Sequence, residues 1–212
     1  MDTCCAEKAD ELTALRGKHR NVLVTVLVIN AVLFVVEAAA GVLANSTALL
    51  ADSLDMLGDS LVYGFSLYVL WRSAAWKAKA ALLKGVIMAV FGAGVLIQAF
   101  YKATAGALPV AETMGVIGLL VLLGNGLCFF LLARHRSDDL NMRSTWLCSR
   151  NDIIANFSVL VAALGVKTFD ASWPDILVGV SIAALFLKSA FTVLREYFLE
   201  LRLLRSQSTT AA

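Results

Sequence analysis

Two prolines in 212 residues leave the chain nearly free of helix breakers. Charged residues make up only 16% of it, which excludes a disordered, self-repelling chain. The net charge is +2 and gives no sign of a nucleic-acid partner. Four cysteines, Cys4, Cys5, Cys128 and Cys148, are scattered through apolar sequence and do not form a disulfide framework. The first 21 residues are polar and charged, without the apolar core and small-residue cleavage site of a secretory signal. The first apolar segment is therefore expected to stay in the mature protein.

Apolar residues are abundant. They make up 59% of the chain, and mean hydropathy is +0.79. A soluble domain is roughly 45–50% apolar even with glycine counted. An ordinary soluble enzyme is thereby excluded, and an integral membrane protein is indicated. A spanning helix needs about 20 residues, so six would use on the order of 130. Six apolar runs are present: Val22–Leu43, Thr47–Trp71, Ala81–Tyr101, Met114–Ala133, Ser144–Val166 and Ile176–Leu194. They are too long for barrel strands of about 10 residues. Spanning helices are then required, because the bilayer interior leaves no other way to satisfy the backbone. Asn45-Ser46 between the first two runs predicts a tight hairpin turn.

Basic residues give the orientation. Lys8, Arg16, Lys18 and Arg20 precede the first run. Arg72, Lys77, Lys79 and Lys84 follow the second. Arg134, Arg136 and Arg143 follow the fourth, and Lys188, Arg195, Arg202 and Arg205 mark the C-terminal end. The other side has only Lys102 and Lys167. This asymmetry predicts an even number of helices with both termini in the cytoplasm. The expected organisation is a cytoplasmic segment over 1–21, a six-helix transmembrane domain over 22–194 and a short cytoplasmic tail over 195–212. Membrane lipid surrounds the domain, and a bacterial inner membrane is the expected location.

The acids inside the spans carry the chemistry. The second run contains Asp52, Asp55 and Asp59, and the fifth contains Asp152 with Cys148 one turn earlier. An aspartate at a helix centre costs roughly 2.5–3.5 kcal/mol on insertion scales. Asp55 and Asp59 are four residues apart and share a helix face, as do Cys148 and Asp152. Asp52 lies on nearly the same stripe as Asp55. Were these acids in water beyond a helix end, the second run would keep only Ser60–Trp71, too short to cross. Like charges at this spacing repel until a divalent cation sits between them. Four ligands from two antiparallel helices suit a tetrahedral site, and zinc accepts both carboxylate and thiolate. The excess negative charge calls for protonation of one or more groups. Metal binding then displaces protons, which is the chemical basis of an antiporter.

At these residues the sequence resembles the cation diffusion facilitator family. The resemblance runs from Arg20 to about Glu196 and is strongest over Gly41 to Gly64, GVLANSTALLADSLDMLGDSLVYG. Trp146 to Gly165, WLCSRNDIIANFSVLVAALG, is similar to the family's fifth helix, and Trp173 to Leu187, WPDILVGVSIAALFL, to the opening of its sixth. The resemblance implies a six-helix cation-efflux transmembrane fold, all α, and a homodimer. It implies export of divalent metals from the cytoplasm by proton antiport through alternating access, with no enzymatic activity and no cofactor beyond the transported zinc, cadmium or similar ion. It places the metal ligands at Asp55, Asp59, Cys148 and Asp152, with Asp52 beside the site. Two departures stand out. Cys148 occupies a position usually held by His or Asp, which tilts the site toward soft metals. The chain is expected to be a variant lacking the family's C-terminal cytoplasmic domain, so any dimer contacts are expected from the membrane helices and the short tail.

Other residues read less specifically. Glu37 is deep in the first run and calls for a proton or a structural partner. Asn156, one turn past Asp152, is placed to lend a hydrogen bond behind the ligands. Arg150 points away from the Cys148–Asp152 face. Cys128 reads as packing, and Gly92, Gly94 and Gly179 as points of close helix approach. Cys4 and Cys5 are candidates for soft-metal capture, and His19 and His135 for the cytoplasmic surface. Two rival readings are a metal-dependent membrane phosphotransferase and a non-transporting membrane subunit. The first usually brings an Asp-Gly opening, an Ala-Arg pair and basic groups for a diphosphate, none of which stands near Asp55.

Overall fold

A computed structural model describes the backbone of residues 16–69, 74–133 and 140–210, and side-chain surroundings for most of 21–61, 82–133 and 152–195. Cys4, Cys5 and His135 lie outside the described residues, as do the side chains of His19, Cys148 and Arg150. The described chain folds into six helices: α1 (Arg16–Leu43), α2 (Thr47–Val69), α3 (Ala74–Ala105), α4 (Ala111–Ala133), α5 (Leu140–Phe169) and α6 (Trp173–Thr210). Each contains one of the six apolar runs, apart from the last two residues of the second, which lie outside the described residues.

Five helices contain stretches long and apolar enough to cross a bilayer: Val24–Leu43, Gly85–Ala105, Ala111–Ala133, Asp152–Phe169 and Trp173–Arg195. The exception is α2, which has 23 residues and is about 34 Å long at 1.5 Å per residue. Its length is sufficient. Its three aspartates lower its apolarity, and over 47–61, where its side chains are described, the fold takes α2 away from the outer face. The helix packs on α1, α3, α5 and α6, and Ala48, Leu49, Ala51, Asp52, Leu54 and Met56 are all buried. These residues point round the full circumference, as expected of a helix enclosed by others. Around α2 gathers a core that includes Leu49, Leu54, Met88, Met114, Val159 and Phe186. By contrast, Val28, Val35, Phe100, Leu123, Phe130, Leu164 and Phe191 stand exposed on the outer helices, the arrangement that a lipid solvent permits.

The α1–α2 hairpin turns at Asn45, which has a φ of 50°. Asparagine is among the few residues that take this left-handed conformation readily. Ser46 then caps α2, its Oγ accepting from the Leu49 amide at 3.1 Å. Small residues bring the helices together elsewhere. A Cβ on Gly179 of α6 would stand 2.6 Å from the Thr47 carbonyl carbon, and one on Gly92 of α3 would stand 2.7 Å from Leu187 Cδ2. Close approach is thus confirmed for Gly92 and Gly179. Gly94 is different: nothing lies within 4 Å of its Cβ position. Two residues along a helix turn the side-chain direction by about 200°, so Gly94 faces outward where Gly92 faces α6.

Candidate metal site

Asp52 lies where α2 meets α5, with Asp55 and Asp59 following it along α2. Asp52 has 0% exposure and Asp59 8%, while Asp55 and Asp152 are partly buried. The contact between the helices is polar at this level. Asn156 Nδ2 lies 3.4 Å from Asp52 Oδ1 and 2.8 Å from the Asp152 carbonyl oxygen, to which it donates. Asn156 Oδ1 accepts from Asn125 of α4 at 3.4 Å. A single buried amide therefore joins the acidic helix, the α5 backbone at Asp152 and a third helix.

Asp55 and Asp59 follow Asp52 along α2 by about one and two turns, and Cys148 precedes Asp152 on α5 by one turn. Among the described residues no three His, Cys, Asp or Glu side chains are gathered closely enough to hold a metal. Asp55, Asp59 and Asp152 alone make no such group in this conformation, and the Cys148 side chain, the fourth expected ligand, lies outside the described residues.

Glu37 of α1 faces the same region. It has 0% exposure, and its carboxyl lies within hydrogen-bonding reach of the Asp52 carboxyl. Nearby on α1, Asn30 Nδ2 donates to the Val26 carbonyl at 2.9 Å and lies 3.9 Å from Cys128 Sγ. The buried Cys128 is therefore packed against a polar neighbour as well as apolar ones.

A second buried polar centre was not anticipated. Asp175, in the first turn of α6, accepts from Ser46 Oγ at 2.6 Å, the Thr47 amide at 2.8 Å and the Ala48 amide at 3.1 Å. Lys102 Nζ, from the last turn of α3, donates to Asp175 Oδ2 at 2.7 Å and to the Asn45 carbonyl oxygen. One carboxylate thus serves the opening amides of α2, which no intrahelical partner can satisfy. The clue in the sequence was a lysine directly after an apolar run, on the side poor in positive charge. Such a lysine needs a carboxylate, and Asp175 opens the last helix on that same side.

The profile of the cation efflux transmembrane domain matches residues 23–202. The chain belongs to this cation efflux family. It is also 29% identical over 133 residues to a protein of Yersinia pestis named zinc transporter ZitB, an alignment covering 60% of this chain and 39% of that protein. The chain spans about two fifths of the length of the curated relative it matches. Family membership accounts for the six-helix arrangement and for a multi-pass membrane location. It weighs against the phosphotransferase reading.

Proposed function

We propose that this cation efflux protein carries divalent transition-metal cations out of the cytoplasm, zinc and cadmium among them, in exchange for protons. The observation that supports this most is the enclosure of a three-aspartate helix among four others, with Asn156 joining it to α5 at Asp152. Acids so placed are costly unless they serve a cation path. Asp55, Asp59, Cys148 and Asp152 are the ligands in this reading. Mutual repulsion of the carboxylates becomes attraction when a divalent cation comes between them. Four anionic groups exceed the two charges of the metal, so protons occupy the site when metal leaves it, and metal expels them on return. Alternate opening of the α2–α5 level to either side turns this competition into exchange.

The same reading places 1–21 and 195–212 in the cytoplasm on either side of the membrane domain 22–194. It pairs two copies through their exposed helix faces and locates them in a bacterial inner membrane. The name of the Yersinia relative supports zinc as a substrate. The test is flux into proteoliposomes, with a panel of metals and an internal pH dye. Wild-type protein is expected to move zinc and protons in opposite directions. Asp55→Ala and Asp152→Ala are expected to insert normally and carry no metal. Undiminished flux in either variant would remove that residue from the site, and metal movement without a pH change would remove proton exchange.

A further inference from the structure

Glu37 and Asp52 are each completely buried, on α1 and α2. No donor among the described residues reaches either oxygen of Glu37, nor Oδ2 of Asp52. The group within reach of Glu37 is the Asp52 carboxyl. Two ionised carboxylates cannot hydrogen bond to each other. Held together away from water, they are tolerable only when a proton lies between them, as in other paired carboxyl sites. The remaining acids deepen the deficit of positive charge: Asp55 on α2 acts on Glu37, and Asp152 on α5 acts on Asp52. On the other helices packed against these two, α4 contributes Asn125 and Cys128 beside Asn156 and Asn30, and α3 and α6 contribute apolar core residues such as Met88, Val95, Ala183 and Phe186, none of which brings positive charge. Among the described residues the buried cation is Lys102, which lies at the opening turn of α2, about one turn before Asp52, and is bound there to Asp175 rather than to the pair.

We infer that Glu37 and Asp52 form a proton-binding site distinct from the metal ligands, and that the proton they share is one of those exchanged for metal. The inference rests on the exchange reading above and gives the proton a separate seat. The metal level and the proton seat are joined through Asn156, which contacts Asp52 and the backbone of Asp152. A cation arriving among Asp55, Asp59 and Asp152 stabilises negative charge nearby, so Asp52 gives up the shared proton. When the metal leaves, the proton returns. The atoms balance simply: an O–H bond on the carboxyl pair breaks, and the proton passes to water.

Infrared spectroscopy of the purified full chain in lipid nanodiscs tests the site without reference to transport. A protonated carboxyl has a carbonyl stretch distinct from that of a carboxylate. Wild-type protein without added metal is expected to show this band at neutral pH and to lose it on addition of zinc chloride. Glu37→Gln and Asp52→Asn, whose amides supply the missing donor, are each expected to lower its intensity by about one carboxyl, leaving whatever share the metal-site acids contribute. In lightly buffered solution, Glu37→Gln is expected to release about one proton fewer per zinc bound than wild type. Absence of the band in wild type, or an undiminished intensity in both variants, overturns the site. An unchanged proton count in Glu37→Gln overturns its part in exchange. Wild-type vesicles that carry zinc with no movement of protons refute the exchange reading instead, whatever the infrared spectrum shows.

Discussion

Lys102 of α3 and Asp175 of α6 meet at 2.7 Å with side-chain exposures of 1% and 0%. With Ser46, Thr47 and Ala48 they join the ends of three helices at the turn that opens the acidic helix. This centre sets where α2 begins, and hence the height at which Asp52, Asp55 and Asp59 follow it. Removing one partner of a buried pair leaves the other charge uncompensated. Asp175→Ala also strips an acceptor from two amides and a hydroxyl. The expected loss is about 3–5 kcal/mol, read as a fall in thermal unfolding temperature in detergent. The Lys102→Met, Asp175→Ala double variant should lose less than the sum of its single changes, because it leaves no unpaired charge. Strict additivity would show that the pair does not act as a unit.

Two glycines of the bundle should respond in opposite ways to the same change. Gly179→Ala puts a methyl group 2.6 Å from backbone of Thr47, which no side-chain rotation relieves. Overpacking of this kind costs about 1–3 kcal/mol. Gly94→Ala meets nothing within 4 Å and gains helix propensity worth up to about 1 kcal/mol. Parallel unfolding measurements should show Gly179→Ala less stable than wild type and Gly94→Ala equal to it or better. A destabilised Gly94→Ala would mean that this outward face is covered by another surface.

These two cases also mark what sequence reading reaches. The six runs, the Asn45 hairpin and the burial of Asp52 and Glu37 follow from hydropathy and from the cost of charge in lipid, which are local quantities. Gly92 and Gly94 have the same composition around them and differ only in which side of α3 meets α6, a tertiary fact. Lys102 and Asp175 are 73 residues apart. Each looks like an ordinary charged residue near a helix end until the bundle closes and brings them together. Asn156 was legible as a helper because it follows Asp152 by one turn, whereas its contact with Asn125 depends on how α4 and α5 pack.

Asn156 should matter to metal affinity even without touching the metal. Its amide holds Asp52 and the carbonyl of Asp152, and groups behind a ligand typically contribute 10–100-fold in affinity. Asn156→Leu is similar in volume and removes every hydrogen bond. Zinc binding by calorimetry is expected to weaken by at least about tenfold, with insertion and helix content preserved. Affinity equal to wild type would show that α2 and α5 hold their register through apolar packing alone.

Cys148 carries the last prediction. Three hard carboxylate ligands would leave a site with little preference among divalent ions, so selectivity in the proposed set rests on the thiolate. Sulfur favours cadmium and other soft metals over magnesium, and imidazole shifts the balance toward zinc. Cys148→His should therefore lower the ratio of cadmium to zinc affinity while keeping four ligands and the capacity for transport. The softness argument also predicts the order of a series: Cys148→Asp should discriminate less against manganese than either Cys or His, because it makes the ligand set entirely oxygen. Competition calorimetry with cadmium, zinc and manganese on the three proteins measures the ratios directly. Identical ratios would mean that the Cys148 sulfur does not touch the ion, and the fourth ligand would then have to come from another group at the α2–α5 level.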